Sequence, residues 1–274
     1  MIPRDYITAW RAKVAWVEDS QVEQDLIISR ALVEIFSDRE LASALAFRGG
    51  TALHKLHFRP AARYSEDIDL VQVEAGAIGP VLTALHKTLD PWLGEPQRNQ
   101  SEGRVTLNYR FFSEDAPPLR LRLKLEINSR EHFTVFGYKR IAFAVDSKWF
   151  RSSARIVTYE LEELLATKLR ALYQRRKGRD LFDLALALET AKVDPERIVN
   201  AFGEYIHHEG HRVTRAQFER NLAGKFRNAQ FIADIGPLLA AAYKYDRDVA
   251  ADVVSKRLIA LLPGEPWKKP KPRK

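Results

Sequence analysis

The stretch Phe47–Leu70, FRGGTALHKLHFRPAARYSEDIDL, decides the fold. It continues a short apolar run, Ala44–Arg48 (ALAFR), turns at Gly49-Gly50-Thr51, and reads from Thr51 to His57 as a short helix beginning at that turn. It leads into Asp67–Val73 (DIDLVQV), where charged or polar residues alternate with apolar ones at the period of a strand with one buried face. In such a strand Asp67 and Asp69 project to one side while Ile68 and Leu70 enter the core. Two carboxylates held this close repel each other unless a cation sits between them. Hard divalent ions such as Mg2+ take oxygen ligands and keep open positions for phosphate oxygens. Gly49-Gly50-Thr51 lets a backbone approach closely, and its amides lie at a helix start, where an anion is favoured.

Outward from this stretch, the first 40 residues read as two helices, the second opened by a capping box at Ser20-Gln21-Val22-Glu23. Beyond it, Ala75–Leu89 reads as a helix, and Arg104–Phe112, Leu119–Asn128 and Arg140–Val145 as strands. From Tyr159 onward the pattern is almost wholly helical, with helix starts at Asp194-Pro195 and at Thr214-Arg215-Ala216-Gln217. The expected fold class is therefore α+β: a small mixed-sheet core over residues 1–150 including the N-terminal helices, then a helical lobe over 151–262. The boundary is expected within 148–158.

The strand LRLRLKLEIN offers a third acid. Its leucines and Ile127 share one face, leaving Arg120, Arg122, Lys124, Glu126 and Asn128 on the other. An acid for metal with cations around it suits a surface that receives a polyphosphate; an exposed strand face produces the same pattern. In the helix YELEELLATKLRALYQRRKGRD, Lys168 falls on the apolar stripe of Leu161, Leu164, Leu165, Ala171 and Leu172, so it is either snorkelling or working. Asp180 and Asp183 share one helix face just after Arg175, Arg176, Lys177 and Arg179. They read as functional acids or as an N-terminal charge cluster favoured by the helix dipole.

The 274 residues contain no cysteine, which removes disulfides, thiolate ligands and cysteine nucleophiles together. No apolar run reaches membrane-spanning length, and the charged N-terminus lacks a signal-peptide core, so the expected location is cytoplasmic and no membrane partner is expected. His207-His208-Glu209-Gly210-His211 lacks the one-face spacing of a zinc helix. The net charge of +8 has about half its excess in the tail 263–274 (PGEPWKKPKPRK), expected to be unfolded and able to attract nucleic acid.

Together these residues resemble the abortive-infection AbiEii toxin family, including the MenT-type toxins, within the DNA polymerase β-like nucleotidyltransferase superfamily. The resemblance spans residues 20–240. It is carried by Arg48–Lys55 (RGGTALHK), Arg63–Leu70 (RYSEDIDL), Lys168 with Arg179–Leu184 (RDLFDL) and, less strongly, Phe226–Asn228 to Asp234–Ile235. It implies a nucleotidyltransferase core closed by a helical lobe. Gly49, Gly50 and Thr51 match the nucleotide turn, Asp67 and Asp69 the metal-binding pair, and Glu126 the third strand carboxylate. Lys168 matches the triphosphate lysine, and Asp183 or Asp180 the downstream acid.

The implied activity is that of a toxin of a toxin-antitoxin system. It transfers a nucleotide from an NTP, with Mg2+ or Mn2+, to RNA, the tRNA 3' acceptor end above all, and thereby blocks translation. A cognate antitoxin is the implied protein partner. Arg120, Arg122, Lys124, Arg175, Arg176 and Arg179 are the expected RNA contacts. Two rivals share the pattern: a nucleotidyltransferase modifying a small molecule, and a non-catalytic nucleic-acid or partner-binding protein.

Overall fold

Alternating apolar side chains build a seven-stranded mixed sheet in the computed structural model, which describes residues 2–268. The strands are β1 (Leu45–Arg48), β2 (Asp67–Gln72), β3 (Gln97–Ser101), β4 (Arg104–Phe112), β5 (Arg120–Asn128), β6 (Tyr138–Asp146) and β7 (Arg151–Tyr159), in the order β3-β4-β5-β2-β1-β7-β6. β2 runs parallel to β5 and β1 parallel to β7; the other neighbours are antiparallel. The β1–β7 junction is narrow, one register pair at Phe47 and Thr158, and the Thr158 hydroxyl strengthens it by donating to the Phe47 carbonyl at 2.6 Å.

Helices α1 (Arg4–Arg11), α2 (Asp19–Ser37), α3 (Arg39–Ala44) and α5 (Gly79–Leu93) accompany this sheet. α2 is buried around most of its circumference and meets β5, β6 and β7. Its Gln24 amide donates to the Arg122 carbonyl at 2.9 Å. The helix after the glycine turn, α4 (Gly49–Ala52), continues as a π-turn over Leu53–His57. Asp25 of α2 anchors that turn, accepting from Lys55 Nζ at 2.6 Å and from the indole nitrogens of Trp10 and Trp16 at 3.0 and 2.9 Å.

A second compact unit, Leu161–Leu239 with the chain from Lys244, holds α6 (Leu161–Gln174), α7 (Gly178–Thr190), α8 (Pro195–His208), α9 (Arg215–Lys225), α10 (Ala229–Ala233) and α11 (Arg247–Arg257). Residues 240–243 belong to the sheet unit, where the Ala240 amide donates to the Ala62 carbonyl. The caps read from sequence are present: Asp194 accepts from the first amides of α8, and Thr214 and Gln217 form a reciprocal capping box on α9.

Several expectations are revised. The α2 capping box does not form. The helix already starts at Asp19, and Glu23 is buried, accepting instead from the Glu114 amide at 2.9 Å. β3 and β7 are additional strands, and because β7 pairs along its whole length with β6 the sheet unit extends to Glu160 rather than 150. In the tail expected to be unfolded, the Pro263 carbonyl accepts from the Arg215 amide and the Trp267 amide donates to Glu219, fastening this part to α9. The basic end, 269–274, lies outside the described residues.

Candidate active site

β1 delivers the chain to Gly49 beside β2, and the antiparallel register sets Arg48 opposite Asp69. Gly49 has φ +84°, a left-handed conformation that costs an L side chain. A Cβ there would lie 2.1 Å from Asp69 Oδ2, so only glycine brings the turn this close to the acid. A Cβ on Gly50 would lie 2.4 Å from an Arg63 guanidinium nitrogen. Thr51 is buried, donates to the Asp67 carbonyl at 2.5 Å and lies 2.8 Å from the Ser65 hydroxyl. The turn and the acid strand are thus fitted to one another through backbone and short side chains.

Parallel pairing of β2 with β5 sets Asp67 beside Lys124 and Asp69 beside Glu126. Lys124 Nζ lies 3.7 Å from Asp67 Oδ2 and 2.9 Å from Glu126 Oε2, and Arg104 of β4 reaches Glu126 at 3.3 Å. Burial opposes the Lys124 charge, but the hydrogen bond to Glu126 and the charges of Asp67, Glu126 and Asp69 overcome it and raise its pKa. At Asp67 desolvation prevails over Lys124 and lifts the carboxyl above its ordinary range. Asp67 Oδ1 is buried and accepts no hydrogen bond. Glu126 therefore faces two cations rather than completing a three-acid cluster. Among the described residues no group of three His, Asp or Glu side chains is arranged to hold a metal ion.

The polar face continues across the sheet. Arg122 of β5 stands directly opposite Arg110 of β4, and Arg120 opposite Phe112, with the Arg120 guanidinium 5.9 Å from that exposed ring. Arg110 donates to Gln97 at 2.7 Å, and none of Arg110, Arg120 and Arg122 has a carboxylate ion pair among the described residues.

In the helical unit Lys168 does not snorkel. It is buried, with Nζ 3.1 Å from Asp180 Oδ1 and 3.0 Å from Asp183 Oδ2, both carboxylates fully enclosed. Arg175 adds a two-pronged contact to Asp180 at 2.7 and 2.8 Å. Burial raises the Asp180 carboxyl, but Lys168 and Arg175 outweigh it and the pKa is lowered. Arg179 is held by both oxygens of Asp234, at 3.0 Å each, and Lys177 reaches the same acid at 3.5 Å. Of the basic run, Arg176 alone has no such partner among the described residues.

Sequence reasoning singled out the acids and the glycine turn, and it placed Lys124 with the RNA contacts rather than between Asp67 and Glu126. Ser65, Arg63 and Arg104 were missed. A hydroxyl two residues before Asp67 was a readable signal; Arg104 becomes relevant only through cross-strand register.

A glycine turn packed against paired strand acids on a mixed sheet is the arrangement that the sequence resemblance implied for a nucleotidyltransferase. Comparison with known families agrees: residues 30–252 match the family described as "Nucleotidyl transferase AbiEii toxin, Type IV TA system". The chain belongs to this AbiEii nucleotidyltransferase toxin family, which makes it an enzyme of the toxin-antitoxin class. It shares its fold with the nucleotidyltransferase toxin MenT4 of Mycobacterium tuberculosis H37Rv (TM-score 0.63, 17% identity, 96% of this chain and 91% of that one). It likewise shares the fold of a putative nucleotidyltransferase from H. pylori (TM-score 0.56, 16% identity, 88% of this chain and 94% of that one). JHP933 from Helicobacter pylori aligns with a TM-score of 0.53 at 15% identity over 88% and 91%. No curated protein is significantly similar in sequence. Among the described residues no helix is long and apolar enough to cross a membrane.

Proposed function

We propose that this chain transfers a nucleotidyl group from an NTP to the 3' acceptor end of tRNA, and that its antitoxin restrains this activity. The observation that carries the reading is the fit of Gly49 to Asp69 beside Asp67, whose buried Oδ1 accepts no hydrogen bond. A desolvated carboxylate oxygen without a donor, next to a second acid two residues on, is a donor set that suits Mg2+ or Mn2+. Such an ion, when bound, supplies charge neutralisation to the phosphate oxygens.

The remaining chemistry belongs to the chain. The Gly49-Gly50 backbone allows close approach of the triphosphate and aligns it for in-line attack, while Asp67 and Asp69 would hold the ion. The acceptor hydroxyl forms its bond to the α-phosphorus, the bond from that phosphorus to the bridging oxygen breaks, and pyrophosphate leaves. Glu126, on the strand face shared with Asp69, accepts the hydroxyl proton. The family resemblance assigns Lys168 to the triphosphate with Asp180 or Asp183 as its acid; enclosed between both carboxylates within the helical unit, it acts there as a positioning group for them. RNA is favoured as acceptor because Arg110 and Arg122 face one another without a carboxylate, an arrangement unfavourable for a sheet alone and favourable for holding a polyanion. Incubating the protein with each labelled NTP, a divalent ion and total RNA tests the reading. Label in a tRNA-sized band, absent with Asp69→Ala, is expected; label confined to small molecules would overturn it.

A further inference from the structure

A cavity of about 420 Å³ in the helical unit is lined by Tyr173 of α6, by Arg176 just after that helix, and by Gln217, Arg220, Asn221 and Lys225 of α9. It gathers three cations and no carboxylate. Several other arginines of this unit are, by comparison, held by carboxylates. Arg170 is taken by Glu209, Arg175 by Asp180, Arg179 by Asp234 and Arg215 by Glu219. The Arg176 and Arg220 side chains have neither an ion pair nor a hydrogen bond among the described residues.

Lys225 is buried, and its ammonium donates to the carbonyls of Leu172 and, at 2.7 Å, Tyr173, leaving one of its three donors uncommitted. Desolvation, with repulsion from Arg176, brings its pKa down to about 8 against the pull of Asp180. Asn221 adds an amide whose buried oxygen has no donor. Three converging positive charges are unfavourable by themselves and are relieved by an anion. Two arginine forks beside an ammonium suit a phosphate, which offers several acceptor oxygens.

We propose that this cavity is a binding site for a phosphate group, supplied by a polynucleotide backbone or by a free phosphate anion. None of its residues belongs to the Asp67–Asp69 centre, and binding there does not depend on the transferase reading.

The test is calorimetric titration of the full chain with inorganic phosphate and with pyrophosphate, and anisotropy titration with a labelled short single-stranded RNA. Each is performed on the wild type, on Arg176→Ala/Arg220→Ala, and on Arg212→Ala, which removes an exposed arginine outside the cavity. The two cavity arginines are solvent-exposed, so their loss leaves the fold intact, as a melting curve checks. The double variant is expected to weaken binding at least about tenfold, the scale of one or more lost charged hydrogen bonds, while Arg212→Ala stays near wild type. Loss in the phosphate and pyrophosphate arms identifies a free anion, and loss in the RNA arm alone a backbone phosphate. Wild type that binds none of the three, or a double variant no weaker than Arg212→Ala, would overturn the site.

Discussion

Gly49 and Asp69 share a space that admits no additional carbon: a Cβ on the glycine would fall 2.1 Å from the Asp69 carboxylate oxygen, at a backbone φ of +84°. Gly49→Ala therefore meets both a strained backbone, about 1–2 kcal/mol, and a displaced acid. The expected outcome is a modest loss of melting temperature with a fall in transfer rate of at least about a hundredfold, the scale of a small misplacement of a reacting group. Equal rates in the two proteins would remove Asp69 from the site.

Asp67 separates function from stability in the opposite sense. Its carboxyl is pushed up by desolvation, so the folded protein holds its charge at a cost. Asp67→Asn should leave the melting temperature unchanged or raised at pH 7 while abolishing transfer and growth arrest. Asp69→Ala should likewise abolish both with the fold retained. Activity surviving in the double variant would dismiss the acid pair.

The acid pair was legible because period-two alternation places both carboxylates on one side of β2 whatever surrounds them. β4, with its apolar alternation, was readable to the residue. β3, QRNQS, was not, because every residue is exposed and an edge strand needs no apolar face. The first half of β7, RSSAR, is polar for a related reason. The Ser20–Glu23 pattern misled because a distant amide, that of Glu114, competes for the glutamate. The environment of Glu126 was hidden because Lys124 and Arg104 come to it through strand neighbours and register.

Lys168 is a position where burial outweighs helix propensity, which alone would tolerate alanine. It is enclosed between Asp180 and Asp183, and removing it leaves two buried carboxylates facing each other. Lys168→Ala should cost about 3–5 kcal/mol. Adding Asp183→Asn should restore part of that loss in a double-mutant cycle. If urea unfolding shows Lys168→Ala within about 0.5 kcal/mol of wild type, the buried cluster contributes nothing.

Lys225 gives a pH dependence of definite sign. Its folded pKa, about 8, lies below the ordinary 10.5, so between these values the unfolded chain holds a proton that the folded chain has released. Raising the pH across that window favours folding, by up to about 3 kcal/mol at about 1.4 kcal/mol per tenfold change in proton affinity. Wild type should gain stability relative to Lys225→Met from pH 8 to 10.5. A difference that is flat or falls with pH would mean that the lysine stays charged in the fold.

Arg110 and Arg122 face one another across β4 and β5 on the strand face that carries Asp67 and Asp69. Directly opposed like charges cost a sheet about 0.2–1 kcal/mol. Arg110→Thr removes that repulsion with a residue that suits a strand, so the protein should melt slightly higher. If the pair holds RNA phosphates, the same change weakens RNA binding at all sequences and lowers the slope of log affinity against log salt by about one. A small-molecule acceptor predicts the gain in stability with no change in transfer rate and a shallow salt profile. Measuring melting temperature and salt-dependent transfer on the same variant separates the two acceptors. A higher melting temperature with an unchanged salt slope would sink the RNA assignment of this face.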